Sequence, residues 1–149
     1  MENAEELPRV IKRLLASQLF AVLATESGGQ PFGNLVAFAG TEDLKSLLFV
    51  TSRDTRKYFI ARKNERVALL IDSRTNKVSD LELAMAVTAI GVTQEVITDE
   101  RNRLVNLYVL KHPSLSTFVN NSANALIKIN VTEYVLASFS DTQVLKITN

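Results

Sequence analysis

The sequence contains no cysteine and only one histidine. Without cysteine it can form no disulfide, no thiolate nucleophile and no Cys-ligated zinc or iron–sulfur cluster. One histidine excludes a multi-histidine metal site within a chain. An excess of either charge is also missing: 17 Lys and Arg against 16 Asp and Glu leave a net charge of +1. There is thus no global electrostatic reason to expect nucleic acid or an anionic membrane as a partner. No apolar run approaches the length needed to cross a bilayer. The opening residues MENAEEL are acidic and polar, unlike the basic-then-apolar start of a secretory signal. A cytoplasmic protein is the resulting expectation. Internal repeats and low-complexity tracts are absent as well.

What is present fits one domain over residues 1–149, long enough to bury a sizeable core and 46% hydrophobic. Leu7, Val10, Ile11, Leu14 and Leu15 recur at helical spacing behind Pro8, which predicts an amphipathic helix from Glu5 to Ser17. Two strand-like runs, Leu19–Thr25 and Pro31–Ala39, flank the turn signal Ser27-Gly28-Gly29 and predict a hairpin. Further strands are expected at Leu47–Val50, Val67–Ile71 and Leu83–Val96, the last with a bulge near Gly91. Thr98, Asp99 and Glu100 read as the cap and acidic first turn of a helix that Pro113 ends, with His112 at its C-terminus favouring the helix dipole. Another helical turn is expected within Ser114–Asn121, and strands at Leu126–Val131, Tyr134–Phe139 and Val144–Ile147. Helices inserted among six or so strands, rather than after each one, point to a mostly antiparallel closed sheet. The fold class is therefore mainly β with helices (α+β).

The chain is organised around Leu47–Asp72, LLFVTSRDTRKYFIARKNERVALLID. This reads as strand, polar corner, short basic helix, strand. The first amides of a helix lack intrahelical partners and carry partial positive charge, so cations and hydroxyls beside them can cradle a phosphate. Thr51, Ser52 and Thr55 supply hydroxyls; Arg56 supplies a planar fork and Lys57 a mobile point charge. The same residue types also suit a capped surface helix whose Arg53, Arg56, Lys57, Arg62, Lys63 and Arg66 form a solvated face. Tyr58 and Phe59 fall at helix-core spacing rather than as base-stacking platforms.

An apolar strand, a Thr, a three-residue gap, a hydroxyl-Arg-Lys triplet, an apolar helix and an Asn-x-Arg-Val-Ala-Leu-Leu strand follow in order as FVTSRDTRKYFIARKNERVALLI. This combination resembles the pyridoxamine 5'-phosphate oxidase-like flavoproteins, most sharply over Phe32–Asp72 and more weakly to the C-terminus. The resemblance implies a six-stranded antiparallel FMN-binding split β-barrel, with the FMN phosphate on Thr51, Arg56 and Lys57; the hydroxyls of Ser52 and Thr55 are added to that set by the chemistry of the corner itself. It also implies that Gly33–Phe38 runs along the flavin, with backbone groups of Asn34, Leu35 and Val36 meeting the ring or ribityl chain. A homodimer with flavin in the groove between subunits is implied too. The vitamin oxidases carry Arg and Lys where this chain has Asn34 and Ala39, and Gln where it has Ala86; their C-terminal Arg-x-His is missing from SFSDTQVLKITN. A related FMN-binding protein, rather than the vitamin oxidase, is therefore expected. Its function is either an FMN-dependent oxidoreductase acting on a small molecule or a non-enzymatic flavin or haem carrier or sensor, and a deazaflavin could replace FMN. An anion- or nucleic-acid-binding module built on the basic helix is the reading without a cofactor.

Overall fold

A computed structural model describes residues 6–148 of the chain. The first helix, α1, runs Glu6–Ser17 and buries the predicted stripe of Leu7, Val10, Ile11, Leu14 and Leu15; Glu5 lies outside the described residues. The hairpin follows as β1 (Phe20–Ser27) and β2 (Gln30–Gly40). Gly28 and Gly29 both take positive φ, at 57° and 86°, as the favoured two-residue hairpin turn requires. Next come β3 (Ser46–Ser52), α2 (Arg56–Lys63) and β4 (Arg66–Asp72). A four-residue helix, α3 (Asp80–Leu83), precedes β5 (Ala86–Glu95). After α4 (Arg101–Lys111), a 3-10 turn and α5 (Ser116–Asn120), the chain closes with β6 (Asn124–Ala137) and β7 (Thr142–Lys146).

All strand pairs are antiparallel, in the order β3-β2-β1-β4-β5-β6-β7. A further β3–β6 pairing, Ser46↔Asn130 through Ser52↔Asn124, closes six of the seven strands into a barrel. The seventh, β7, pairs only with the C-terminal part of β6. Alternation sends Leu23, Val36, Phe38, Leu47, Phe49, Leu69, Ile71 and Ile129 into the barrel. The opposite face of β3, with Ala39 and Leu126, carries Leu48 and Val50 into a second cluster under α4 and α5. No helix among the described residues is long and apolar enough to cross a membrane.

Four local expectations are corrected. The strand predicted from Leu83 begins at Ala86, because Asp80 ties the preceding loop into a helical turn, accepting from Thr75 N, Thr75 Oγ1 and Asn76 N at 2.7–2.8 Å. The predicted strands Leu126–Val131 and Tyr134–Phe139 form one continuous β6. The bulge sits where predicted along β5, but Ile90 pairs with Glu133 and Gly91 with Val131, so the extra residue is Thr132 of β6. Thr98 does not cap α4: the helix begins at Arg101 behind Glu100, with no side-chain cap.

Candidate functional site

The barrel is split on one side. β2 and β3 pair only from Phe38↔Phe49 to Gly40↔Leu47, after which β3 continues against β6 and β2 against β1. Ser27↔Gln30 closes the two-residue turn, so Gln30, Phe32, Asn34 and Val36 exchange hydrogen bonds with β1, and Gly33, Leu35 and Ala37 present theirs to the unpaired edge. Pro31, also on that edge, has no donor to leave unsatisfied. At the α4 end Tyr108 Oη donates to the Ala37 carbonyl at 3.1 Å.

The corner lies at the opposite end of this split. Thr51 is buried, and its hydroxyl meets that of Thr55 at 2.9 Å. Thr55 gives its one hydroxyl proton to the Ser52 carbonyl at 2.8 Å, so Thr51 is the donor in the pair. Thr55 is the N-cap of α2, accepting from Tyr58 N. Ser52 Oγ accepts from Asp54 N at 3.2 Å. These hydroxyls thus shape the turn itself. What they leave free are the backbone amides of Arg56 and Lys57 in the first turn of α2, which have no acceptor among the described residues. Arg56 is exposed, with its guanidinium 5.3 Å from the centroid of the Phe32 ring, and Lys57 forms no ion pair among the described residues. Phe32 therefore joins the corner to β2.

Of the β2 residues, Leu35 is 68% exposed and offers its backbone to the open edge. Asn34 and Val36 spend their backbone groups on β1; Val36 points into the core and Asn34 is half-buried two residues beyond Phe32. The structure so brings Thr51, Ser52, Thr55, Arg56 and Lys57 together and sets β2 beside them through Phe32.

One residue that sequence reasoning did not single out holds the corner in place, through Tyr58 and an Arg53 that is drawn off the expected solvated face. Glu95 of β5 accepts from Tyr58 Oη at 2.7 Å and from Arg53 Nη2 at 3.1 Å, while Arg53 Nη1 reaches the carbonyls of Ser122 and Asn124. Burial pushes the Glu95 carboxyl up, but the bonds from Tyr58 and Arg53 outweigh it and hold the carboxyl below its usual range. Arg53 is thereby a strut, and the cations left for a ligand are Arg56 and Lys57. Phe59 departs from the expected helix core at 57% exposure, whereas Tyr58, Ile60 and Ala61 are buried. His112 is also buried, with Nε2 2.7 Å from the Phe38 carbonyl, so Nε2 carries the proton and the ring tethers α4 to β2.

A family profile described as pyridoxamine 5'-phosphate oxidase matches residues 7–136. The chain belongs to the pyridoxamine 5'-phosphate oxidase family. The same barrel recurs in solved structures. A haem binding protein from Mycobacterium smegmatis superposes with a TM-score of 0.82 at 16% identity, covering 98% of this chain and 59% of that one. General stress protein 26 from Bacillus anthracis has a TM-score of 0.71 at 20% identity over 95% and 99% of the two chains. A FAD-binding protein from Mesorhizobium loti has a TM-score of 0.68 at 15% identity over 91% and 94%. At these identities the likeness is one of fold. The chain spans about three fifths of the Mycobacterium smegmatis protein. A comparison with curated protein sequences found no match.

Proposed function

We propose that this member of the pyridoxamine 5'-phosphate oxidase family binds FMN and serves as an FMN-dependent oxidoreductase for a small molecule. The observation that carries the reading is the α2 N-terminus, where the two unpaired amides of Arg56 and Lys57 and two cations without an ion-pair partner among the described residues belong to the same first turn. A dianionic phosphate needs that donor set. In this reading Arg56, Lys57 and the α2 amides hold the phosphate, and Thr51 and Thr55 fix the turn that aims those amides. The open edge of β2 at Gly33 and Leu35 offers backbone donors and acceptors to the rest of the molecule. Bound flavin supplies the electron chemistry, for which this chain needs no cysteine or metal of its own.

The outer sheet face beside that edge supports a homodimer with flavin between subunits. Phe20 and Leu35 are 55% and 68% exposed, and the register Leu35↔Val22↔Leu70 makes them part of one apolar band. A substrate other than the phosphorylated vitamin is supported by Ala39, which lies under α4, and Ala86, which opens β5, where the vitamin oxidases carry Lys and Gln. A protein of this fold binds haem in Mycobacterium smegmatis and another binds FAD in Mesorhizobium loti. Flavin is favoured here because the single imidazole is spent on the Phe38 carbonyl.

Mass spectrometry of the small molecule released on denaturation tests the cofactor, and titration with FMN and riboflavin tests the corner. The expected result is released or tightly bound FMN, with riboflavin, which lacks the phosphate, binding far more weakly. Equal affinity for the two would overturn the phosphate assignment.

A further inference from the structure

Away from the α2 corner, α1, α4 and the β2–β3 connection line a half-open cavity of about 430 Å³. Its walls are apolar, formed by Leu15, Ala16, Leu44, Leu107 and Leu110, and Leu110 at its rim is 86% exposed. Lys111 lines it too. Its ammonium donates to the Leu15 carbonyl at the C-terminus of α1, 2.9 Å away, and stands 3.8 Å from the centroid of the Phe38 ring. Neither is a full negative charge. Lys111 has no carboxylate partner among the described residues, and the one acid lining the cavity, Glu42, has a 97% exposed side chain 3.8 Å from Lys12. Burial lowers the Lys111 ammonium to about 8.

A half-buried cation without a counter-charge is costly, and an ammonium has three donors of which the Leu15 carbonyl takes one. The arrangement has a charged end, a greasy wall and a greasy rim. We propose that this cavity is a second ligand site, taking a small monocarboxylate with an apolar tail whose carboxylate pairs with Lys111 and whose tail lies between Leu107 and Leu110 of α4 and Leu15 of α1. The volume is within the range of small-molecule sites. Lys12 at the rim adds attraction for an anion, and Glu42 opposes it from the solvent side. His112, the next residue, faces away toward the Phe38 carbonyl, and Tyr108, pushed up to about 12 by burial, stays a neutral donor to Ala37. Lys111 is therefore the cavity-lining group whose charge changes just above neutrality.

Octanoate and octanamide, equal in tail and different in charge, are the probes, titrated into the whole protein by calorimetry with amide chemical shifts recorded alongside. Octanoate is expected to bind saturably, shifting the amides of Leu15, Ala16, Gly40 and Leu110, and octanamide at least tenfold more weakly. Octanoate affinity is expected to fall about tenfold between pH 7 and pH 9.5, as the ammonium loses its proton. Lys111→Met is expected to lower octanoate affinity at least tenfold; should it fail to fold without its bond to α1, the two probes and the pH series on the natural protein decide alone. No octanoate binding, equal affinity for both probes, or an affinity flat across that pH range would each overturn the proposal. None of these outcomes depends on flavin, so the site stands or falls apart from the corner.

Discussion

At the residue scale, each charge at the corner does one of two jobs, and the two can be separated by substitution. Among the described residues Arg56 and Lys57 make no side-chain hydrogen bond or ion pair, and Arg56 stacks on the half-buried Phe32 ring. Removing both therefore removes ligand contacts without opening a core. Each charge-assisted bond is worth about 1.5–3 kcal/mol, so Arg56→Ala with Lys57→Ala should weaken FMN binding roughly a hundredfold or more. The melting temperature should barely move, as for surface changes generally. Calorimetric titration beside a thermal melt checks both. Glu95 does the other job. Its folded carboxyl lies below the ordinary value, so its contribution is present at neutral pH and is lost as pH falls through that lowered value. Glu95→Gln should cost about 1 kcal/mol at pH 7, a figure kept small by the partial exposure of Glu95 and Arg53. The gap from the natural protein should shrink toward pH 3, because acid protonates the natural carboxylate as well. Melting curves at pH 7, 5 and 3 give the test, and a gap that widens in acid would contradict it.

At the element scale, the barrel depends on one irregularity. Thr132 is the extra residue of β6, its hydroxyl donating to the Ile90 carbonyl at 3.0 Å, and Gly91 lies across from it. A Cβ added at Gly91 would stand 2.4 Å from the Asn130 carbonyl oxygen and 2.8 Å from Ile129 Cγ2. A backbone atom cannot swing aside as a side-chain tip can, so Gly91→Ala should cost about 2–3 kcal/mol through strain. Chemical denaturation with an unchanged slope would report that loss cleanly. The irregularity also shows what the sequence disclosed. The hairpin, the corner and the apolar stripe of α1 were legible because each is written locally, in Gly28-Gly29, in Thr51 to Lys57 and in Leu7 to Leu15. The position of the bulge along β5 was legible from Gly91, but which strand carries the extra residue depends on register between segments some forty residues apart. Likewise the Asp80 carboxylate turns 80–83 helical by capping Thr75 and Asn76, a contact invisible to alternation. Glu95 was missed for a related reason: it is an unremarkable acid at the end of a strand until folding sets it against Arg53 and Tyr58.

At the scale of the whole molecule, the helices leave the outside of the barrel unequally covered. Where α4 and α5 lie, the outward residues Ala39, Leu48, Val50 and Leu126 are buried. On the opposite wall, Phe20, Leu35, Ile90 and Val92 remain 36–68% exposed and no described element lies over them. The register links Leu35 to Ile90 through Val22, Leu70 and Ala68 into a face rather than scattered points, with Val92 at its far end opposite Arg66. Such a face on a chain of net charge +1, with little self-repulsion, suits a second copy of itself. Leu35 stands both on this face and on the open β2 edge, so dimerisation and flavin binding should fail together at that residue. Leu35→Glu places a carboxylate on the most exposed apolar position of the face, at its β2 border, and, with Leu35 68% exposed, the melting temperature as an isolated chain should be preserved. Sedimentation is expected to show a dimer for the natural sequence and a monomer for the variant, with FMN affinity lower in the monomer. If the natural chain sediments as a monomer with FMN bound, the flavin site is complete within one subunit and the interface assignment is wrong. If the variant is monomeric yet binds FMN as tightly as before, the dimer stands but the second copy adds nothing to the site.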